Sequence, residues 1–208
     1  MLILMSRAAY RSAAHGLLLG LLGLLPLRLH ADPVKPANLA RLIQRADLIL
    51  VGTITQVHDG FLGTIPYTEV TVAVEESLRG TPGPVFTFRQ FGLLAPRDLG
   101  NGYTNTTTTP AGWARYAPGE SVLLFLNRQG SRNGLRTPVG LAQGKFVLHA
   151  GYATNGLANA GLFHDLSIPT GVTLSAPMQA LLTQPSGPVE TPALLAFVRR
   201  AVQEHWYP

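Results

Sequence analysis

The sequence predicts a mainly β fold, a compact antiparallel barrel or sandwich of five or six strands with small flanking helices. Two patterns carry this. Along residues 67–80 (YTEVTVAVEESLRG), Thr68, Val70, Val72 and Val74 share one side and Tyr67, Glu69, Thr71 and Ala73 the other, which is the period of a half-buried strand. Further β-branched and aromatic runs recur between Gly- and Pro-containing breaks, whereas helical spacing is confined to three short segments.

Taken in order, a Pro-containing lead-in is followed by Leu39, Leu42, Ile43 and Ala46 at helical spacing, predicting a short amphipathic helix that ends near Asp47. Residues 47–57 are too β-branched to continue it and predict a long strand, with Gly52 as a bulge or point of close approach. Residues 58–66 supply Gly and Pro for a hairpin connection before the alternating strand. TPGP then breaks the chain ahead of a third strand, 85–91, in which Phe86 and Phe88 share a face. After an aperiodic segment, 92–119, the run ESVLLFLNR reads as a strand buried on both faces. The turn QGSRNG leads to a short edge-like strand around Pro138 and another at 144–150. Residues 151–161 are turn-rich and predict a loop with a tight turn at Asn155. A short helix is expected at 176–184. The last helix has Thr191 as cap, Pro192 as first helical residue, and Leu194, Leu195, Val198 and Val202 on its apolar side. No internal repeat is present.

The N-terminus reads as a secretory signal. Arg7 and Arg11 precede GLLLGLLGLLPL, an apolar run well short of the roughly 20 residues a membrane span needs. Arg28 closes the run and cleavage is expected after Ala31, with an uncleaved anchor as the alternative. This divides the chain into a signal peptide, 1–31, and a single domain, 32–208, exported to the periplasm or the medium. No later apolar run reaches spanning length, so no stable membrane span is expected after cleavage.

The formal charge of +5 shrinks with the signal: 16 Lys and Arg, less Arg7, Arg11 and Arg28, leave 13 against 11 Asp and Glu. Arg199-Arg200 is the only adjacent basic pair, and there is no basic stripe interleaved with aromatics. Nucleic acid is therefore not an expected partner. The absence of cysteine excludes a disulfide framework, a lipoprotein anchor, a thiol nucleophile and a thiolate metal site.

The adjacent carboxylates Glu75 and Glu76 look like an acid/base pair, but neighbours in a strand project to opposite faces and cannot converge on one substrate. His58, His149, His164 and His205 lack ligand-pair spacing, no serine sits in a G-x-S-x-G elbow, and GLAQGK fails the phosphate-loop pattern in spacing and in Phe146. No catalytic residue, metal ligand or cofactor is assigned. The 92–119 segment far exceeds the usual connection of about 4–6 residues. It holds Arg97, Tyr103, Trp113, Arg115 and Tyr116, residue types that anchor binding surfaces. The alternative is that Trp113 and Tyr116 fold back over the domain and leave NTTTTP as a mobile tip.

The segments ADLILVGTITQV, YTEVTVAVEESLRG, PGESVLLFLN and GLAQGKF together resemble a group of exported bacterial proteins of unknown function, across roughly residues 46–146. More distantly the pattern is similar to the OB-type barrel of netrin-like and tissue-inhibitor-of-metalloproteinase-like domains, with Ala46-Asp47, Arg79-Gly80 and Gly119-Glu120 at the recurring positions. The resemblance implies a five- to six-stranded antiparallel OB-like barrel. It does not carry over the inhibitors' mechanism, which uses an N-terminal cysteine to chelate the target's zinc. The expected function is a non-catalytic module that binds an exported protein, with a protease-binding or inhibitory role among the options. The alternative is a glycan-binding or structural component of the envelope or matrix, and the third option is an enzyme with a dispersed His/Asp/Glu site.

Overall fold

A computed structural model describes residues 36–207; the expected signal peptide and its cleavage point lie outside the described residues. The elements in chain order are α1 (Leu39–Arg45), β1 (Leu48–Leu62), β2 (Ile65–Arg79), β3 (Val85–Phe91), β4 (Arg97–Asp98), β5 (Thr104–Asn105), β6 (Ser121–Leu126), a 3-10 turn (Leu141–Gly144), β7 (Lys145–His149), β8 (Tyr152–Asn155), α2 (Ala176–Leu182), β9 (Val189–Glu190) and α3 (Thr191–Gln203). Seven strands form one antiparallel sheet in the order β3-β2-β1-β6-β7-β8-β9, and β4 and β5 form a separate hairpin.

The mainly β prediction therefore holds, with a C-terminal helix, but the strand number and the closure differ from expectation. The sheet has seven strands and is not closed into a barrel. Two isolated bridges, Arg89 to Leu135 and Leu126 to Pro138, are what remains of the strand expected around Pro138. Proline there has no N–H to contribute to a ladder.

Alternation along the central strands serves both faces of the sheet. In β1, Leu48, Leu50 and Ile54 join Val70, Val72, Phe88, Val122, Leu124 and Leu126 in one apolar cluster. Ile49 and Val51 face the other way and join Leu123, Phe125, Phe146, Ala153 and the inner faces of the three helices. β6 is buried along almost its whole length for this reason.

Three local differences have physical causes. Residues 58–62 and 65–66, expected as hairpin connection, are paired strand, and only Gly63 and Thr64 remain as the turn, with Gly63 at φ 61°. Residues 152–155, expected as loop, and 189–190, which the sequence left unassigned, extend the sheet because β7 offers an open edge and Ala153 and Val189 bury against the helices. The turn expected at Asn155 follows β8, where the Asn155 carboxamide oxygen accepts from the N–H groups of Leu157 and Asn159 at 3.0 and 2.8 Å. In α3 the cap lies one residue earlier than expected, at Glu190, and Thr191 is already helical with its hydroxyl buried and unpartnered among the described residues. Its buried face runs through Ala193, Leu194, Phe197, Val198 and Ala201.

Gly52 meets its expectation. The β1–β2 register shifts between Val51 and Gly52, and a Cβ at Gly52 would stand 2.3 Å from the Ala73 carbonyl oxygen. Among the described residues, no helix is long and apolar enough to cross a membrane.

Candidate functional site

The 92–119 segment is held to the sheet by side chains on β1 and β3. Gly92, at φ 101°, lets the chain leave β3 so closely against Thr109 that a Cβ would come within 2.5 Å of that residue's nitrogen. Leu93 is fully buried, and its backbone exchanges hydrogen bonds with the returning chain at Thr107 and Thr109. Gln90 shares the buried parity of Phe86 and Phe88. Its amide donates to the Ala114 carbonyl at 2.9 Å, and its carboxamide oxygen accepts from the Tyr116 hydroxyl at 3.4 Å.

Tyr116 therefore belongs to the core rather than to a surface, with its ring edge-on to Phe88 at 5.6 Å. Burial, and secondarily the charge of Glu120, push its hydroxyl well above the ordinary phenol range. The linkage follows in sign. A phenol that ionises near its ordinary value of about 10 only after unfolding contributes stability that is complete below that pH and lost as pH rises above it. Urea midpoints should therefore fall more steeply between about pH 9 and 11 for the native protein than for Tyr116→Phe. Parallel curves would mean that the phenol does not couple to folding.

The other candidates divide between two places. At the first, Arg97 in β4 pairs with Asp59 of β1 and lies over the Phe61 ring at 5.7 Å, while Asp59 also accepts from the Leu94 N–H at 2.7 Å. The β4–β5 hairpin is thereby fastened to the tip of the β1–β2 hairpin. Tyr103, at the turn of the smaller hairpin, is 72% exposed. At the second, Trp113 is half-buried beside Phe91, with ring centroids 6.4 Å apart, and forms a shared wall of two clefts of ≈ 490 and ≈ 340 Å³. The exposed Arg115 donates to the Thr109 carbonyl at 3.3 Å and lines the larger cleft.

Under that larger cleft, Lys145 is buried and gives its ammonium to Glu120 at 2.5 Å and to the Arg115 carbonyl, and it stands 5.0 Å from the Tyr116 ring centroid. Glu120 also accepts from the Ala117 N–H at 3.1 Å. This pair fixes the end of the long segment where it enters β6.

Spacing alone does not reveal Asp59, Glu120 or Lys145 as anchors. Gln90 could have been found as a polar residue on the apolar side of a strand, where it must have a hydrogen-bonding partner.

The two glutamates diverge as strand geometry requires. Glu75 accepts from the Thr53 hydroxyl at 2.8 Å, and Glu76 takes a bidentate pair of 2.9 Å bonds from Arg199 of α3. His58 meets Glu69 across the β1–β2 ladder at 2.9 Å, and the exposed His164 meets its neighbour Asp165, also at 2.9 Å. Among the described residues, no three His, Asp or Glu side chains gather where they could hold a metal ion. Comparison with protein-family models, with curated proteins and with solved structures yields no significant match.

Proposed function

We propose that the protein is an exported, non-catalytic binding module that engages another exported protein, with a protease among the candidate partners. One observation carries this reading. Of the six large apolar side chains exposed among the described residues, four (Leu62, Leu94, Leu99 and Tyr103) belong to the end built from the two fastened hairpins. Exposed apolar residues scattered singly need no explanation, whereas a group held on one rigid end is the kind of surface a partner covers. The Arg97–Asp59 pair supports the reading by ordering the β4–β5 hairpin before binding, so less conformational freedom is lost on association.

The OB-like relationship is part of the same proposal. It is supported by the 135–138 segment, which bridges β3 on one side and β6 on the other, as a closing strand would. The divergence of Glu75 and Glu76 supports a non-catalytic role.

The test is capture of exported host proteins on tagged protein comprising residues 32–208, followed by mass spectrometry and affinity measurement. One stoichiometric partner is expected, and Tyr103→Ala should weaken it by about tenfold or more, as truncation of an aromatic anchor does. Full affinity in a folded Tyr103→Ala, Leu99→Ala double variant would sink the assignment of the surface, and no stoichiometric capture by folded bait would sink the function.

A further inference from the structure

The smaller cleft beside Trp113 shares no lining residue with the two fastened hairpins and has a different chemistry. Phe91, at the end of β3, and Trp113 supply two aromatic walls inclined at 58°. The wall facing them comes from the turn after β6, with Arg128, Asn133 and Thr137. These polar groups are positioned but not used up. Arg128 has an 89% exposed side chain and approaches Asp47 only at 3.5 Å. The Asn133 carboxamide oxygen accepts from the Leu135 N–H at 3.1 Å, which orients the side chain, and its NH2 meets no acceptor among the described residues. Thr137 accepts from Asn127 at 3.2 Å and keeps its hydroxyl proton to donate. No described residue accepts from the Trp113 indole N–H.

We propose that this cleft binds a saccharide, with a pyranose ring packed by its C–H face on Trp113 and Phe91 and its hydroxyls bound by Arg128, Asn133 and Thr137. The ligand must combine an apolar face with an edge rich in hydrogen-bonding groups, because such sites pair aromatic walls with a few placed polar groups. A wholly apolar ligand would leave the half-buried Asn133 NH2 without an acceptor. A nucleotide or nucleic-acid strand fits poorly, since Arg128 is the one cation in the cleft's lining and the Asp47 carboxylate already stands 3.5 Å from it. Both clefts lie in the range of about 300–1,000 Å³ typical of ligand sites. Because Trp113 walls both, an oligosaccharide can continue across the indole toward Arg115 and Thr154. This site is independent of the protein-docking end, so either can fail without the other.

The chain has two tryptophans, which makes a direct test possible. The indole N–H of Trp206 is already given to Glu204 at 2.8 Å, and its ring is buried against Phe197. In proton–nitrogen NMR spectra of the labelled protein, assigned with Trp113→Phe, maltotriose or tri-N-acetylchitotriose should shift the Trp113 indole signal saturably and leave that of Trp206 in place. Arg128→Ala and Asn133→Ala, both at exposed or half-exposed positions, should each weaken the apparent affinity by about tenfold. The proposal is overturned if neither sugar moves the Trp113 signal at about 10 mM, or if the binding survives both substitutions undiminished.

Discussion

Glu120→Ala is expected to destabilise the fold by about 3 kcal/mol, far more than loss of an ordinary surface ion pair. The reason lies with its partner. The Lys145 side chain is only 8% exposed, and removing Glu120 leaves its ammonium with the Arg115 carbonyl and the Tyr116 ring as its remaining neighbours. Glu120 itself is 27% exposed, which places the effect at the lower end of what breaking a buried pair does. The reverse change should be milder. In Lys145→Met the freed carboxylate keeps its bond from Ala117 and its access to water, so a loss of about 1 kcal/mol is expected. Urea unfolding of both variants measures the asymmetry, and equal losses would show that the ammonium is not the group that needs compensation.

Phe125→Ala should be the largest single-residue effect in the core, about 3–5 kcal/mol. Phe125 is fully buried on β6, its ring 5.8 Å from that of Phe146, on the face covered by the helices. Truncation removes an aromatic payload and leaves a void that rigid strands on either side cannot close. Phe125→Leu keeps most of the volume and should lose less than half as much. If thermal and urea unfolding placed the two variants together, the space around the ring would have to be able to collapse.

How much of this was legible in the sequence depended on the strength of the repeat. β1, β2, β3 and β6 were readable because each holds a sustained run whose alternation or apolarity matches much of its burial, and β7 because Phe146, Val147 and Leu148 form a short apolar run between glycine-bearing turns. β8 and β9 were not, since four and two residues carry too little pattern against a background of Gly, Asn and Ala. They are strands because of what lies beside them. The long segment's residue types were visible, but Trp113 and Tyr116 have opposite fates: the indole walls two clefts and the phenol enters the core. The phenol's partners in the core, Phe88, Gln90 and Lys145, lie on other strands, and nothing in the spacing of 113 and 116 encodes them. The groups facing Trp113 across the smaller cleft come from the turn after β6, which approaches only once β1, β2 and β3 are laid beside it. Convergence of distant segments leaves no periodic trace in a single sequence.

The double allegiance of β1 and β6 has a bearing on how the domain comes apart. Successive residues of these strands belong to different apolar clusters, so neither cluster retains its floor when the other dissolves. Subglobal opening that frees the helices, or that frees β2 and β3, would have to expose half of the same two backbones. Amide protons at Leu50, Val51, Leu123 and Leu124 should accordingly exchange only with complete unfolding, and the domain should melt in one all-or-none transition.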